Sequence, residues 1–179
     1  MQTETTKAKP RKRRHVWVQK DDRLFTLEVF ITDGPLTPAF VKKNPEISRK
    51  IEMRGDDTLD MLHFAIFDAF NRHDPHMYEY QVGGKGPMDP NARRYVLPEM
   101  MEGRSANELA DKSIAGNVEH VTIGSLGLQE GDPFGYWFDY GDDWRHQINV
   151  VSIAPQAKSN KKYPCVVGRI GKSPPQYPR

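Results

Sequence analysis

Between Phe134 and Val150 the chain reads FGYWFDYGDDWRHQINV, and no other stretch narrows its folding options as much. Phe134, Tyr136, Phe138 and Tyr140 fall on one face of an extended segment, with Gly135, Trp137 and Asp139 on the other. After the bend, Trp144, His146, Ile148 and Val150 resume the period of two. Aromatic-rich strands on either side of a Gly-Asp-Asp bend make a hairpin, with Gly141 the residue expected to supply a positive φ. A hairpin this apolar needs further strands and a covering layer, because two strands alone are barely stable in water.

Both are written upstream. Leu24 to Ile31, LFTLEVFI, places Phe25, Leu27, Val29 and Ile31 on one face and is a strand. A proline-rich connection with room for one helical turn leads to a second strand, Ile47 to Met53, with one wet face. GDDTLDMLHFAIFDAFNRHD is then the main helix: Asp57 or Thr58 caps its start, and Arg72 and His73 suit the negative end of its dipole. Its apolar stripe holds Leu59, Leu62, His63, Ile66, Phe67 and Phe70, with His63 read as a core histidine. MYEYQV, Met77 to Val82, is a third strand and RRYVLP a short fourth. SANELADKSIA reads as a helix with Ser105 and Glu108 forming a capping box. TIGSLGLQEGD is a tight turn into the aromatic hairpin.

This order predicts an α+β fold: a mixed β-sheet with one main helix packed across it, β-grasp-like, closing with the aromatic hairpin. A ferredoxin-like split βαβ arrangement is the second choice. The length of 179 residues suits one domain with tails. Its parts are a disordered basic tail over 1–14, the domain over 15–154 and a basic, proline-rich C-terminal segment over 155–179. The tails carry +5 and +6 while the body carries −9, so a net charge of +2 conceals an acidic body with basic ends. Arg11, Lys12, Arg13, Arg14, Lys161 and Lys162 are therefore the candidate nucleic-acid contacts. The acidic body itself argues against gripping a phosphate backbone. One cysteine, Cys165, forms no internal disulfide and fits a cytoplasmic setting, and no apolar run is long enough for a membrane span.

The bend admits two readings. In the first, its aspartates only shape the backbone, as Asp does in many turns. In the second, Asp139, Asp142 and Asp143 with Trp144 and His146 form a metal or interaction site, completed by His76 and Glu79 if the third strand lies beside the hairpin. Asp139, Asp143 and His146 would supply oxygen and nitrogen ligands to Mg²⁺, Mn²⁺ or Zn²⁺, and a hydrated metal could attack a phosphodiester. No cofactor is otherwise expected, and no catalytic residue is assigned.

The segments TLDMLHFAIFDAF, HMYEYQVGG, FGYWFDYGDDWRHQINV and YPCVVGRIGKSPPQYP together resemble the plasmid pRiA4b ORF-3-like family, over residues 24–178. The resemblance implies a protein of the kind found on plasmids and insertion elements, with no established reaction. A resolvase-like role has no support in the residues, which show no serine within an arginine-rich catalytic arrangement and no helix-turn-helix pattern. The expectation is a non-catalytic accessory module that binds a protein partner, with a metal-dependent hydrolase as the alternative.

Overall fold

The computed structural model describes residues 20–101 and 113–177. The basic run at 11–14 lies outside them, as do Ser105 and Glu108. Of the helix expected in SANELADKSIA, Ile114 and Ala115 fall instead in a strand, β5 (Ile114–Asn117).

The remaining strands are β1 (Leu24–Asp33), β2 (Ser48–Arg54), β3 (Tyr78–Val82), β4 (Arg93–Val96), β6 (Pro133–Phe138), β7 (Trp144–Ala154) and β8 (Cys165–Ile170). They form one eight-stranded sheet in the order β5-β4-β3-β6-β7-β1-β2-β8. Neighbours pair antiparallel except β4 with β5, and that parallel pair makes the sheet mixed. An α+β architecture with one main helix follows.

That helix, α2 (Leu59–Ala69), begins where Thr58 accepts the Met61 N–H through its hydroxyl at 3.2 Å. Between the two candidate caps the hydroxyl is used, while the Asp57 carboxylate instead accepts the Arg54 N–H at 2.7 Å. Leu59, Leu62, His63 and Ile66 are buried against Phe25, Leu27, Ile51, Met53, Tyr78, Tyr80, Phe134 and Tyr136 in one core. Each fully buried Leu or Ile on that stripe contributes about 2 kcal/mol. His63 is the core histidine expected: its Nδ1 lies 2.8 Å from the Tyr136 hydroxyl and its ring stacks on Tyr78 at 3.8 Å. The long connection after β1 contains α1 (Pro38–Lys43), capped by Thr37.

The C-terminal end of α2 is served differently from the expectation. The Arg72 and His73 side chains do not serve it, although the Arg72 backbone N–H donates to the Phe67 carbonyl at 2.9 Å. The Ala69 carbonyl accepts from Arg49 Nε at 2.9 Å and from Arg169 Nη1 at 2.7 Å, cations supplied by β2 and β8. Cations belong at this end of the dipole, and strand neighbours reach it more directly than side chains beyond the helix. The segment placed outside the domain thus contributes an edge strand, β8, with Ile51 opposite Val166 and Val166 packed against the core.

The second face of the sheet is covered near β3 and β6. Gly135 permits this, because a Cβ there would lie 2.7 Å from Pro87 Cα. The loop carrying Pro87 and Met88 therefore presses directly on the strand.

Candidate functional site

The hairpin turn runs from Asp139 to Asp143, between Phe138 and its partner Trp144. Its two left-handed residues are Asp139, φ 55°, and Asp143, φ 57°, rather than Gly141. Asp tolerates this region because its short carboxylate bonds locally. The Asp139 Oδ1 accepts the Asp142 N–H at 3.3 Å, the Asp139 carbonyl accepts the Asp143 N–H at 2.7 Å, and the Asp139 N–H donates to the Met77 carbonyl at 2.9 Å. The left-handed kink ends the alternation of faces at Phe138. Tyr140 consequently lies on the opposite side from Tyr136, with its ring 4.3 Å from that of Trp137.

Three neighbouring carboxylates are accommodated by separation. Asp143 faces Arg145, which forks onto it with Nε at 2.9 Å and Nη2 at 2.6 Å. Asp142 is half-buried. Asp139 turns inward and is 5% exposed.

Inside the turn lie Trp144 and His146, both fully buried. His146 Nδ1 points at the Tyr136 carbonyl, 3.3 Å away, so Nδ1 carries the proton and donates. Burial, helped by the nearby Arg72 charge, pushes His146 down to about 3, so its ring is neutral at neutral pH. Arg72 lies over the indole, with Cζ 3.7 Å from the Trp144 ring centroid. Burial lowers Arg72 to about 10, opposed by Tyr136, Asp139, Asp142 and Tyr177, and it remains a cation.

His76 stands at the rim, with Nε2 3.5 Å from Asp139 Oδ2, 3.6 Å from Asp74 and 2.8 Å from the Tyr177 hydroxyl. The C-terminal segment closes over this rim. Gln176, 2% exposed, accepts the N–H groups of His73 and Asp74, both at 3.1 Å, and donates to the Asp74 carbonyl at 2.7 Å. Tyr177 donates its hydroxyl to Asp74 at 2.6 Å. A groove of about 580 Å³ beside it is lined by Asn71, His73, Ser173, Pro174, Gln176 and Tyr177.

Glu79 belongs elsewhere. It faces the other side of the sheet, where Arg94 grips it with Nε at 3.1 Å and Nη2 at 2.6 Å. Gln81 donates to it at 2.8 Å and the Tyr140 hydroxyl at 3.3 Å. The residues proposed as metal ligands are therefore divided between an inner centre, a rim, a half-buried ion pair and the opposite face. Among the described residues no group of three or more His, Cys, Asp or Glu is placed to hold a metal ion. Lys161 is engaged with Glu52 at 2.7 Å, whereas Lys162 is exposed.

Arg72 is the residue that spacing did not single out for this centre. The signal was present in the charge balance, since an inward aspartate calls for a cation nearby, but which of 26 Lys and Arg supplies it is decided by tertiary packing.

An eight-stranded mixed sheet crossed by one helix, with a buried Arg-Asp-His-Trp centre under its closing hairpin, defines an α+β domain of a recognisable class. The family model described as plasmid pRiA4b ORF-3-like protein matches residues 39–176, and the chain belongs to that family. No curated protein matches it. A solved structure, that of a protein of unknown function from Methanosarcina mazei Go1, is similar with a TM-score of 0.60 at 18% identity, covering 86% of this chain and 72% of that one. At that identity the likeness shows a shared fold. Among the described residues, no helix is long and apolar enough to cross a membrane.

Proposed function

We propose that this chain is a non-catalytic accessory protein of mobile-element type, whose body docks a protein partner and whose basic ends contact nucleic acid. The observation that carries the reading is the outer face of α2. Phe64 is 58% exposed there, with Met61 one turn earlier and also exposed, on a helix whose inner face is fully engaged in the core. Exposed aromatic and Met side chains on one helix face are the chemistry of an interface anchor. The hairpin carboxylates favour the same reading, because they are committed to the turn backbone, to Arg145 and to the buried centre rather than to one reactive point. The β-grasp-like grouping belongs to this reading too, as a helix held across strands with its outer surface left for recognition. Cytoplasmic placement is part of the proposal.

Two measurements test it. Wild-type and Phe64→Asp chains serve as parallel baits: a protein retained by the first and lost by the second supports the helix-face assignment, and equal retention defeats it. In anisotropy titrations with a short labelled duplex, affinity is expected to fall steeply with salt. It is expected to vanish when Arg11, Lys12, Arg13, Arg14 and Lys162 are changed to Gln. Substitution is the right tool here, since deleting 155–179 would also remove β8 from the sheet. Binding unchanged by the substitutions would remove the basic ends from the assignment.

A further inference from the structure

The Arg72 centre gathers polar atoms that satisfy neither one another nor any neighbouring protein group. Among the described residues, Arg72 Nη1 and Nη2, Trp144 Nε1, Asp139 Oδ2 and His146 Nε2 are shielded from solvent and have no hydrogen-bond partner. They come from three separate stretches, the segment after α2, the turn and β7. Arg72 lies 3.7 Å over the Trp144 ring, its charge is felt at His146, and it in turn feels Asp139 and Asp142. The His76 ring nitrogen, 3.5 Å from Asp139 Oδ2, is the nearest rim group.

The chemistry of what fits follows from counting donors and acceptors. Arg72 and Trp144 present only N–H donors. Asp139 Oδ2 accepts, and so does His146 Nε2, because the proton of that neutral ring is on Nδ1 facing the Tyr136 carbonyl. An anion would suit Arg72 and Trp144, but Asp139 and Asp142 repel it and His146 would turn a lone pair toward it. A cation would suit Asp139 but meet the Arg72 charge. A small neutral species that donates and accepts at once satisfies both halves.

We propose that Arg72, Asp139, Trp144 and His146 form a buried hydration site, where water bridges the Arg72 guanidinium to the Asp139 carboxylate and to His146. The bridge joins the end of α2 to the hairpin turn, and it turns Asp139 from a turn-former alone into one half of a water-mediated ion pair.

A crystal structure of the full chain at a resolution that shows ordered solvent tests this directly. The expected result is a solvent peak within hydrogen-bonding distance of an Arg72 Nη and of Asp139 Oδ2, with no anomalous peak there after a bromide soak. Arg72 and Asp139 in direct contact with nothing between them would overturn the proposal, and a bromide peak would overturn it in favour of an anion site. In solution, the Trp144 Nε1–H, identified with Trp17→Phe and Trp137→Phe chains, is expected to show a dipolar cross-peak to long-lived water. That peak should survive Tyr136→Phe, which removes a buried hydroxyl of the same core, and should be lost in Arg72→Met. A wild-type indole proton with no such peak refutes the site whether or not any variant folds.

Discussion

Two buried carboxylates, Glu79 and Asp139, stand on opposite faces of the same sheet and solve the same problem in different ways. Glu79, 1% exposed, closes directly on Arg94 and fills its remaining lone pairs with Gln81 and Tyr140. Asp139, 5% exposed, spends one oxygen on the turn backbone and leaves the other without a hydrogen bond, 3.5 Å from the His76 ring nitrogen, although a buried arginine is close enough to feel its charge. The first arrangement is complete within the protein. The second is electrostatically balanced but unfinished in its hydrogen bonds. A polar centre of the first kind anchors a structure, whereas one of the second kind leaves atoms able to bind.

Acid should break the comparison most strongly, because the inner side carries two neutral histidines and the Glu79 side carries none. His63 is held down to about 4 by burial, and His146 to about 3 by burial and the Arg72 charge. Their folded values lie below the ordinary 6.5, so the unfolded chain takes up the protons first. Stability is then full above pH 6.5 and falls as the pH drops toward 4 for His63 and toward 3 for His146. Each histidine costs up to about 1.4 kcal/mol per pH unit within its window. Urea unfolding followed from pH 7.5 to about 4.5 should show this decline, and a flat profile would mean that both rings are solvated.

Glu79→Ala comes next in size. Removing one partner of the closed pair takes the buried carboxylate away from Arg94, Gln81 and Tyr140 and should cost about 3 kcal/mol, read from the urea midpoint at unchanged slope. Arg72→Met should cost the least, within about 1 kcal/mol of wild type, since it removes a cation–π contact but also a buried charge that has no direct hydrogen bond. A loss as large as that of Glu79→Ala would erase the distinction between the two centres.

The sequence revealed backbone pattern far better than convergence. The alternation of Phe25, Leu27 and Val29, a helix cap at Asp57 or Thr58 and the hairpin around the Gly-Asp-Asp bend were legible because each depends on residues adjacent in the chain or on a single period. Tyr140 was assigned to the wrong face because a left-handed Asp139 resets the alternation, and Gly141 had drawn the expected positive φ to itself. β8 was hidden by its company: CVVGRI is short and lies between prolines and lysines that read as tail. The grouping of Asp139, Asp143 and His146 was only partly legible, since Asp143 turns to Arg145 while Asp139 and His146 lie on the buried side. The third strand does lie beside the hairpin, with Glu79 opposite Trp137, and Glu79 faces the far side.

The shared carbonyl of Ala69 has a consequence for how the protein is made. One of its two arginine donors, Arg169, is translated a hundred residues after the helix it completes. While the ribosome still holds the C-terminal part of the chain, α2 can lie on the early strands with Arg49 alone at its end. The last strand to emerge therefore both closes the edge of the sheet and finishes a helix formed long before it, so a nascent chain stalled short of Arg169 should be the form most readily cut by a protease.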